Sequence, residues 1–400
     1  MKSKILFLIW PFLSFIEAFA YGFSKKSHKL LLTLFSGFIG LNFAVDSESP
    51  DINTYINRFQ LYYNRDFSYL QEFVISYFQL EAKHYDILTQ VIYYVLSRFT
   101  DSPYILFLTF GLIFGYFYGN VFIQIGAYVN KKLSLTDHVL ILVLLLLIFP
   151  TKGINQFRFY TASLIFINGL LSYFNNNKKA SIYLMVLSLV THIALILPII
   201  SFLISLMFKK MNIKVFITAL IIIVLTSTQL TFIEQYINIL GGSIEEKYND
   251  YTGDIAKTRM ESFKDRVWYA AYYRELLVVA LLAVFLYIFK RKDILTSKDK
   301  KLLVPISFLA LFTALTFNMY MYHRYFDLLA FVLLFYIIMI KIKYNDRMLN
   351  FYTAIALPPF SLAAVLNLSD VLRFVNPFII VDNYFTVWFF QGLGSINSFL

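Results

Sequence analysis

The 400-residue sequence contains no cysteine, which excludes disulfides, thiolate metal sites and thiol nucleophiles. Charge is scarce too: 15% of residues are charged, where a soluble domain carries about 25%. No GxSxG elbow, Walker-type phosphate loop, GxGxxG turn or HExxH pair occurs, so the chemistries those motifs serve have no support here. A DxD-type pair is also missing, and a metal-held sugar nucleotide is therefore not indicated. Neither a metal nor a cofactor is expected.

What the chain has instead is apolar surface: 59% of its residues are hydrophobic and 19% aromatic. Apolar segments of spanning length or near it fall at about 5–23, 30–45, 104–128, 133–149, 157–174, 180–208, 213–233, 272–289, 302–319, 325–340 and 351–366. They leave no room for an independent soluble core. The expectation is an all-α polytopic membrane protein of about 10–12 transmembrane helices, a single integral membrane domain over 1–400. Its two long polar loops, 46–103 and 234–274, are expected to be extracytoplasmic. Lys2, Lys4, the apolar run that follows and Ala18–Phe19–Ala20 mimic a cleavable signal peptide, but a first spanning helix fits better. The tail from 367 to 400 reads as interfacial. A net charge of +11 suits anionic lipid or an anionic substrate. The basic residues are scattered between spans, which speaks against nucleic acid.

Segment 180–208 is longer than one crossing needs, with Thr191 and His192 near its middle and Pro198 after them. If it turns back at His192, the short basic loops 24–29, 129–137, 175–179, 209–214, 290–301 and 341–350 all fall on the cytoplasmic side. A single crossing puts the basic 290–301 loop outside, against the positive-inside rule, so the broken reading is preferred although it leaves the N-terminus outside. The partition also separates the two basic residue types. Of eleven arginines, nine (Arg58, Arg65, Arg98, Arg158, Arg259, Arg266, Arg274, Arg324 and Arg373) fall outside, whereas 17 of the 19 basic residues inside are lysine. Arginine offers a planar, always-charged fork suited to phosphate or carboxylate, while lysine suffices as a topology signal. The outer face reads as a place for an anion.

Several residues there are candidates. Arg158 opens a spanning helix with Lys152, Asn155 and Gln156 on the same short outer turn. Its alternative is an arginine snorkelling to the head groups. His192 has no second histidine or carboxylate at metal-ligand spacing. It is a general base or phosphate hydrogen-bond donor, or else a buried histidine bonded to backbone. His323 and Arg324 form a similar pair at another corner. Residues 254–274 read as a helix approaching the membrane, with Arg259, Arg266 and Arg274 near one stripe, or as a solvated helix balanced by Glu261, Asp265 and Glu275. The first outer loop supplies Asp46, Glu48, Asp51, Glu72, Glu81, Asp86 and Asp101.

The order DINTYINRF, HYDILTQVIYYVLSRFTDSPYILF, INQFRFYTASL, a short lysine loop, VTHIALILP and a late YHRYF resembles the Wzy-type polymerases of capsule, exopolysaccharide and O-antigen repeat units, in particular their exopolysaccharide-operon branch. The resemblance covers roughly 30–340. It implies a GT-C-like membrane glycosyltransferase in the bacterial inner membrane, working at the outer leaflet without metal or nucleotide. Donor and acceptor are then oligosaccharides on undecaprenyl pyrophosphate, with membrane lipid, a chain-length regulator and a flippase as further partners. The family's aspartate, arginine and histidine positions map onto Asp51, Arg158 and His192, with Arg324 as the late arginine. The chain departs from the family in having AKHYD before the third span, which leaves the role of Asp86 open. On this reading His192, Asp51 and Arg158 are catalytic, and Arg158, Arg259, Arg266, Arg324, His323, Lys152 and Asn155 hold the pyrophosphate. A glycan ligase using the same donor and a flippase of lipid-linked sugars are the rivals.

Overall fold

The computed structural model describes residues 7–43, 50–78, 86–127, 133–208, 211–226, 268–317, 322–344 and 346–372. Every regular element among them is helical. The helices of six residues or more are, in order, α1 (Pro11–Ala20), α2 (Ser27–Leu41), α3 (Pro50–Tyr63), α4 (Phe67–Phe78), α5 (Ile87–Ser97), α6 (Pro103–Gly126), α7 (Leu135–Leu147), α8 (Pro150–Asn155), α9 (Phe157–Phe174), α10 (Lys178–Thr191), α11 (Ile196–Leu206), α12 (Ile213–Thr226), α13 (Trp268–Lys290), α14 (Leu303–Leu315), α15 (Tyr322–Tyr344), α16 (Arg347–Ile355) and α17 (Leu357–Leu372). Among the described residues, four helices can cross a membrane by length and composition: Pro103–Gly126, Leu135–Asn155, Tyr272–Lys290 and Tyr322–Tyr344. A fifth joins Arg347–Ile355 and Leu357–Asn367 across a 50° bend. Other apolar segments are built from shorter helices such as Ser27–Leu41 and Ile213–Thr226. The protein is an all-α, multi-pass membrane protein.

Apolar surface gives helices in lipid no reason to meet, so close backbone approach has to supply the contact. α6 carries Gly111, Gly115 and Gly119 on one face, turned to α2. A Cβ at Gly111 would sit 2.2 Å from the Ser36 carbonyl oxygen, and one at Gly40 2.1 Å from that of Phe107. Neither position tolerates a side chain. α15 is the axis of the bundle, buried without interruption from Tyr325 to Ile342. Its 23 residues span about 34 Å, and they separate two chemically different ends.

At the end where α15 stops, the basic loops gather. The Lys341 ammonium meets Asp137, which with Ser134 forms the capping box that opens α7. Lys343 Nζ lies 2.6 Å from Asp299, and Tyr344 and Thr296 donate to the same carboxylate. Lys301 reaches Asn176, Lys298 sits over the Phe174 ring, and Phe216 faces Phe289. The loops around 24, 134–138, 175–179, 211–214, 290–301 and 341–346 therefore share one end, as loop charge predicts.

Segment 180–208 does break at its histidine. Asn175, Asn176 and Asn177 make a tight turn after α9, with Asn176 at φ 64° and Asn177 capping α10 through Ala180 N. α10 thus runs back along α9. His192 is extended (φ −159°, ψ 119°) and is followed by a single 3₁₀ turn, Ile193–Leu195. Its ring meets Phe159 at the start of α9, at 5.9 Å, while Phe202 of α11 meets Tyr173 near the end of α9, at 5.3 Å. After His192 the chain therefore reverses and returns toward the basic end. α11 packs there on α14, with Phe208 against Phe308 at 5.1 Å.

The first polar loop, 46–103, is not irregular. Its described part holds α3, α4 and α5, because Ile52, Tyr55, Phe59 and Tyr62 repeat at helical spacing and bury one face. Tyr55 packs edge-on against Phe110, which stacks on Phe157 at 3.9 Å. Arg98 donates to the carbonyls of Tyr62 and Arg65, at 2.5 and 2.7 Å, and so closes the end of α3. This layer rests on the end of the bundle opposite the lysines. Of the stretch 254–274 only the part from Trp268 is described, and the expected interfacial tail from 373 onward lies outside the described residues.

Candidate functional site

Two arrangements bring the candidates together, both around α9. Its Arg158, Phe159 and Tyr160 are consecutive, so their side chains leave the helix about 100° apart and reach different neighbours. Arg158 faces α5, where Asp86 occupies the N-cap position without capping. A capping aspartate stabilises a helix by about 1 kcal/mol. Here the carboxylate is used elsewhere: Oδ2 accepts from Arg158 at 2.7 Å, and Oδ1 lies 2.5 Å from His192 Nδ1. Asp86 is buried, as is His192. Burial alone would raise the Asp86 carboxyl, but the charge and hydrogen bonds of His192 and Arg158 outweigh it and hold it below the usual carboxylate range. Tyr55 completes the Arg158 environment, its ring 5.6 Å from Cζ. Arg58, one turn further along α3, adds a second cation nearby.

The geometry leaves His192 one open position. With Nδ1 turned to a carboxylate, that nitrogen carries the proton and Nε2 keeps its lone pair. Nε2 is buried and has no hydrogen-bond partner among the described residues. Phe159 packs edge-on against the imidazole and also against Tyr160 and Tyr325. Tyr325 in turn donates to the Ala194 carbonyl in the turn after His192, at 3.0 Å, fixing the break to α15.

On the other side of α9 lies Asp327 of α15. Lys152 and Tyr160 each donate to Oδ2 at 2.7 Å, and Arg274 Nε reaches Oδ1 at 3.3 Å. Lys152 also donates to the Leu147 carbonyl and to Asn367. One carboxylate thus joins α8, α9, α13 and α15, and through Lys152 also α17. Arg324 lies over Phe159, its Cζ 5.8 Å from the ring. It makes no ion pair among the described residues, and its Nε is buried without a hydrogen-bond partner.

Of the residues expected from sequence, Arg158 and His192 meet through a shared carboxylate, and Arg324 lies beside them. Lys152 is bound to Asp327, and Asn155 is buried two residues before α9 begins at Phe157. His323 lies within the fields of Arg274, Arg324, Asp327 and Lys152. Asp51 is on α3, one turn before Tyr55, and the aspartate that Arg158 and His192 share is Asp86. Arg259 and Arg266 lie outside the described residues. Asp327 escaped the sequence reading altogether. The signal was present: an acid inside an apolar run, three residues after Arg324.

With this geometry in hand, comparison with known proteins gives one match. The model of the EpsG family aligns with residues 29–379, whereas no curated protein and no solved structure matches the chain. The chain belongs to the EpsG family, a Wzy-like polymerase family of exopolysaccharide operons.

Proposed function

We propose that this EpsG-family protein joins oligosaccharide repeat units carried on undecaprenyl pyrophosphate into exopolysaccharide, at the outer leaflet of a bacterial inner membrane. Family membership supports a repeat-unit polymerase role. The observation that carries the chemistry is the buried Nε2 of His192, without a partner among the described residues, oriented by a carboxylate and near a cation that pairs with no carboxylate among those residues.

The acceptor sugar hydroxyl attacks the anomeric carbon of the donor. A bond forms from that oxygen to the carbon, and the bond from the carbon to the pyrophosphate oxygen breaks. The electron pair leaves with undecaprenyl pyrophosphate, and the hydroxyl proton passes to His192 Nε2 and then to water. Charge grows on the departing pyrophosphate, so cations fixed in a dry site before the reaction are the main source of acceleration. Arg324 is the cation placed to meet it, with the fixed charges of Arg158 and Lys152 adding to the field, His323 offering a neutral hydrogen-bond partner, and Arg259 and Arg266 as further candidate ligands. The base contributes the smaller share, about 10²- to 10⁴-fold. Gathering of the basic loops at the opposite end supports an extracytoplasmic site through the positive-inside rule.

A deletion strain tests this reading. Its surface polysaccharide, run on a gel, is expected to lose long polymer and keep single repeat units. Plasmid-borne protein restores the ladder, and His192→Ala does not. Complete loss of surface sugar would instead assign the protein to export.

A further inference from the structure

Arg158 was the first cation that the sequence offers for the pyrophosphate, and its surroundings say otherwise. Its guanidinium already has an anion, Asp86 Oδ2 at 2.7 Å, together with the Tyr55 ring. Asp86 in turn spends its other oxygen on His192 Nδ1. The three side chains come from α9, α5 and the break after α10, so none is held by its own helix alone. A phosphate arriving at Arg158 would compete with a buried carboxylate, and removing that carboxylate would release the histidine. Arg324 has no such competitor among the described residues, and its Nε is buried and unpartnered.

We infer that Asp86 and Arg158 are positioning residues for His192, acting on its tautomer and ring orientation, and that Arg324 is the cation that meets the pyrophosphate directly. This division of labour rests on the polymerase reading above. Arg158 keeps the carboxylate ionised and aimed. Asp86 keeps the proton on Nδ1, so Nε2 faces the acceptor hydroxyl as a base and the imidazolium formed in the reaction has a counter-charge. The groups facing the imidazole are Asp86 from α5, Arg158 from α9 and Arg324 from α15. Only the first is anionic.

The inference separates binding from turnover. Purified full-length protein in lipid nanodiscs is assayed twice: for binding of undecaprenyl pyrophosphate, which cannot react, and for the rate of chain extension with a lipid-linked repeat unit. Asp86→Asn is expected to bind the probe within about twofold of wild type and to lower kcat by about 10²- to 10⁴-fold, the range in which a misdirected histidine falls. Arg158→Lys, which keeps the charge but loses the fork, is expected to bind normally and lose about tenfold or more in kcat. Asp86→Glu recovers part of the rate that Asp86→Asn loses. Arg324→Ala is expected to bind the probe at least about tenfold more weakly. If Arg158→Lys weakens probe binding as much as Arg324→Ala, Arg158 is an anion ligand and the inference falls. It falls equally if Asp86→Asn turns over at the wild-type rate. A wild-type protein that binds the probe but extends no chain would remove the polymerase reading, while the binding series would still decide which arginine holds the pyrophosphate.

Discussion

Asp86 and Asp327 are both buried acids held by basic side chains on either side of α9, yet their hydrogen-bonding differs in one respect. Asp327 spends its carboxylate on an ammonium, a guanidinium and a phenol, and the helices it joins are those of the bundle itself. Asp86 spends its carboxylate on a guanidinium and an imidazole, and the imidazole keeps a buried nitrogen that has no partner among the described residues. A closed network fixes a fold, while an open one has an atom to offer a substrate. Burial and charge alone do not distinguish a structural ion cluster from a catalytic one. What distinguishes them is where the last unsatisfied atom lies.

The comparison breaks most visibly at Asp327. Asp327→Ala leaves the Lys152 and Arg274 charges without their shared carboxylate, which costs about 3–5 kcal/mol for a buried pair. The expected result is a much lower unfolding temperature and loss of the monodisperse peak in size-exclusion chromatography. A variant as stable as wild type would deny Asp327 its structural role. His192→Ala should do the reverse, lowering chain extension about 10²- to 10⁴-fold while the unfolding temperature stays near wild type. Arg324→Ala comes next: losing a charged hydrogen bond of about 1.5–3 kcal/mol raises the donor KM about 10- to 150-fold. Tyr160→Phe removes one of several donors to Asp327 and should lower stability by about 1 kcal/mol in a thermal melt, with polymer length unchanged.

Acid is the mildest probe. Asp86 is held below the usual carboxylate range, so its contribution is present above its unfolded value and is lost only as pH falls through the depressed one. Burial, with Arg158 and Arg324 nearby, holds the His192 imidazole below its usual value against the pull of Asp86, so the fall in rate that belongs to it comes as pH drops below about 6.5. The check is the pH dependence of kcat in wild type and in Asp86→Glu, with an unchanged unfolding temperature over the same interval.

The sequence makes some of this legible and hides the rest for a physical reason. The membrane class, the shared end of the basic loops and the break at His192 follow from apolar run lengths and loop charge, both local properties. The GxxxGxxxG face of α6 was equally available, since Gly111, Gly115 and Gly119 stand four apart. Asp86 was harder, because its partners lie 72 and 106 residues away. The first outer loop holds eight acids, and nothing local says which of them folds back onto α9. Asp51 sits where the family resemblance pointed, one turn from the Tyr55 that Arg158 does meet. Asp327 could have been found by the same argument that singled out His192, as an ionisable residue beside an apolar run.

On the proposed mechanism His192, held by Asp86, takes the proton when undecaprenyl pyrophosphate leaves. The most direct measurement gives purified protein a single lipid-linked repeat unit without nucleotide and counts both products. The account predicts a polymer ladder, one undecaprenyl pyrophosphate released for each bond formed, and loss of both in His192→Ala. A ladder that persists in His192→Ala, or lipid released with no chain extension, would contradict it.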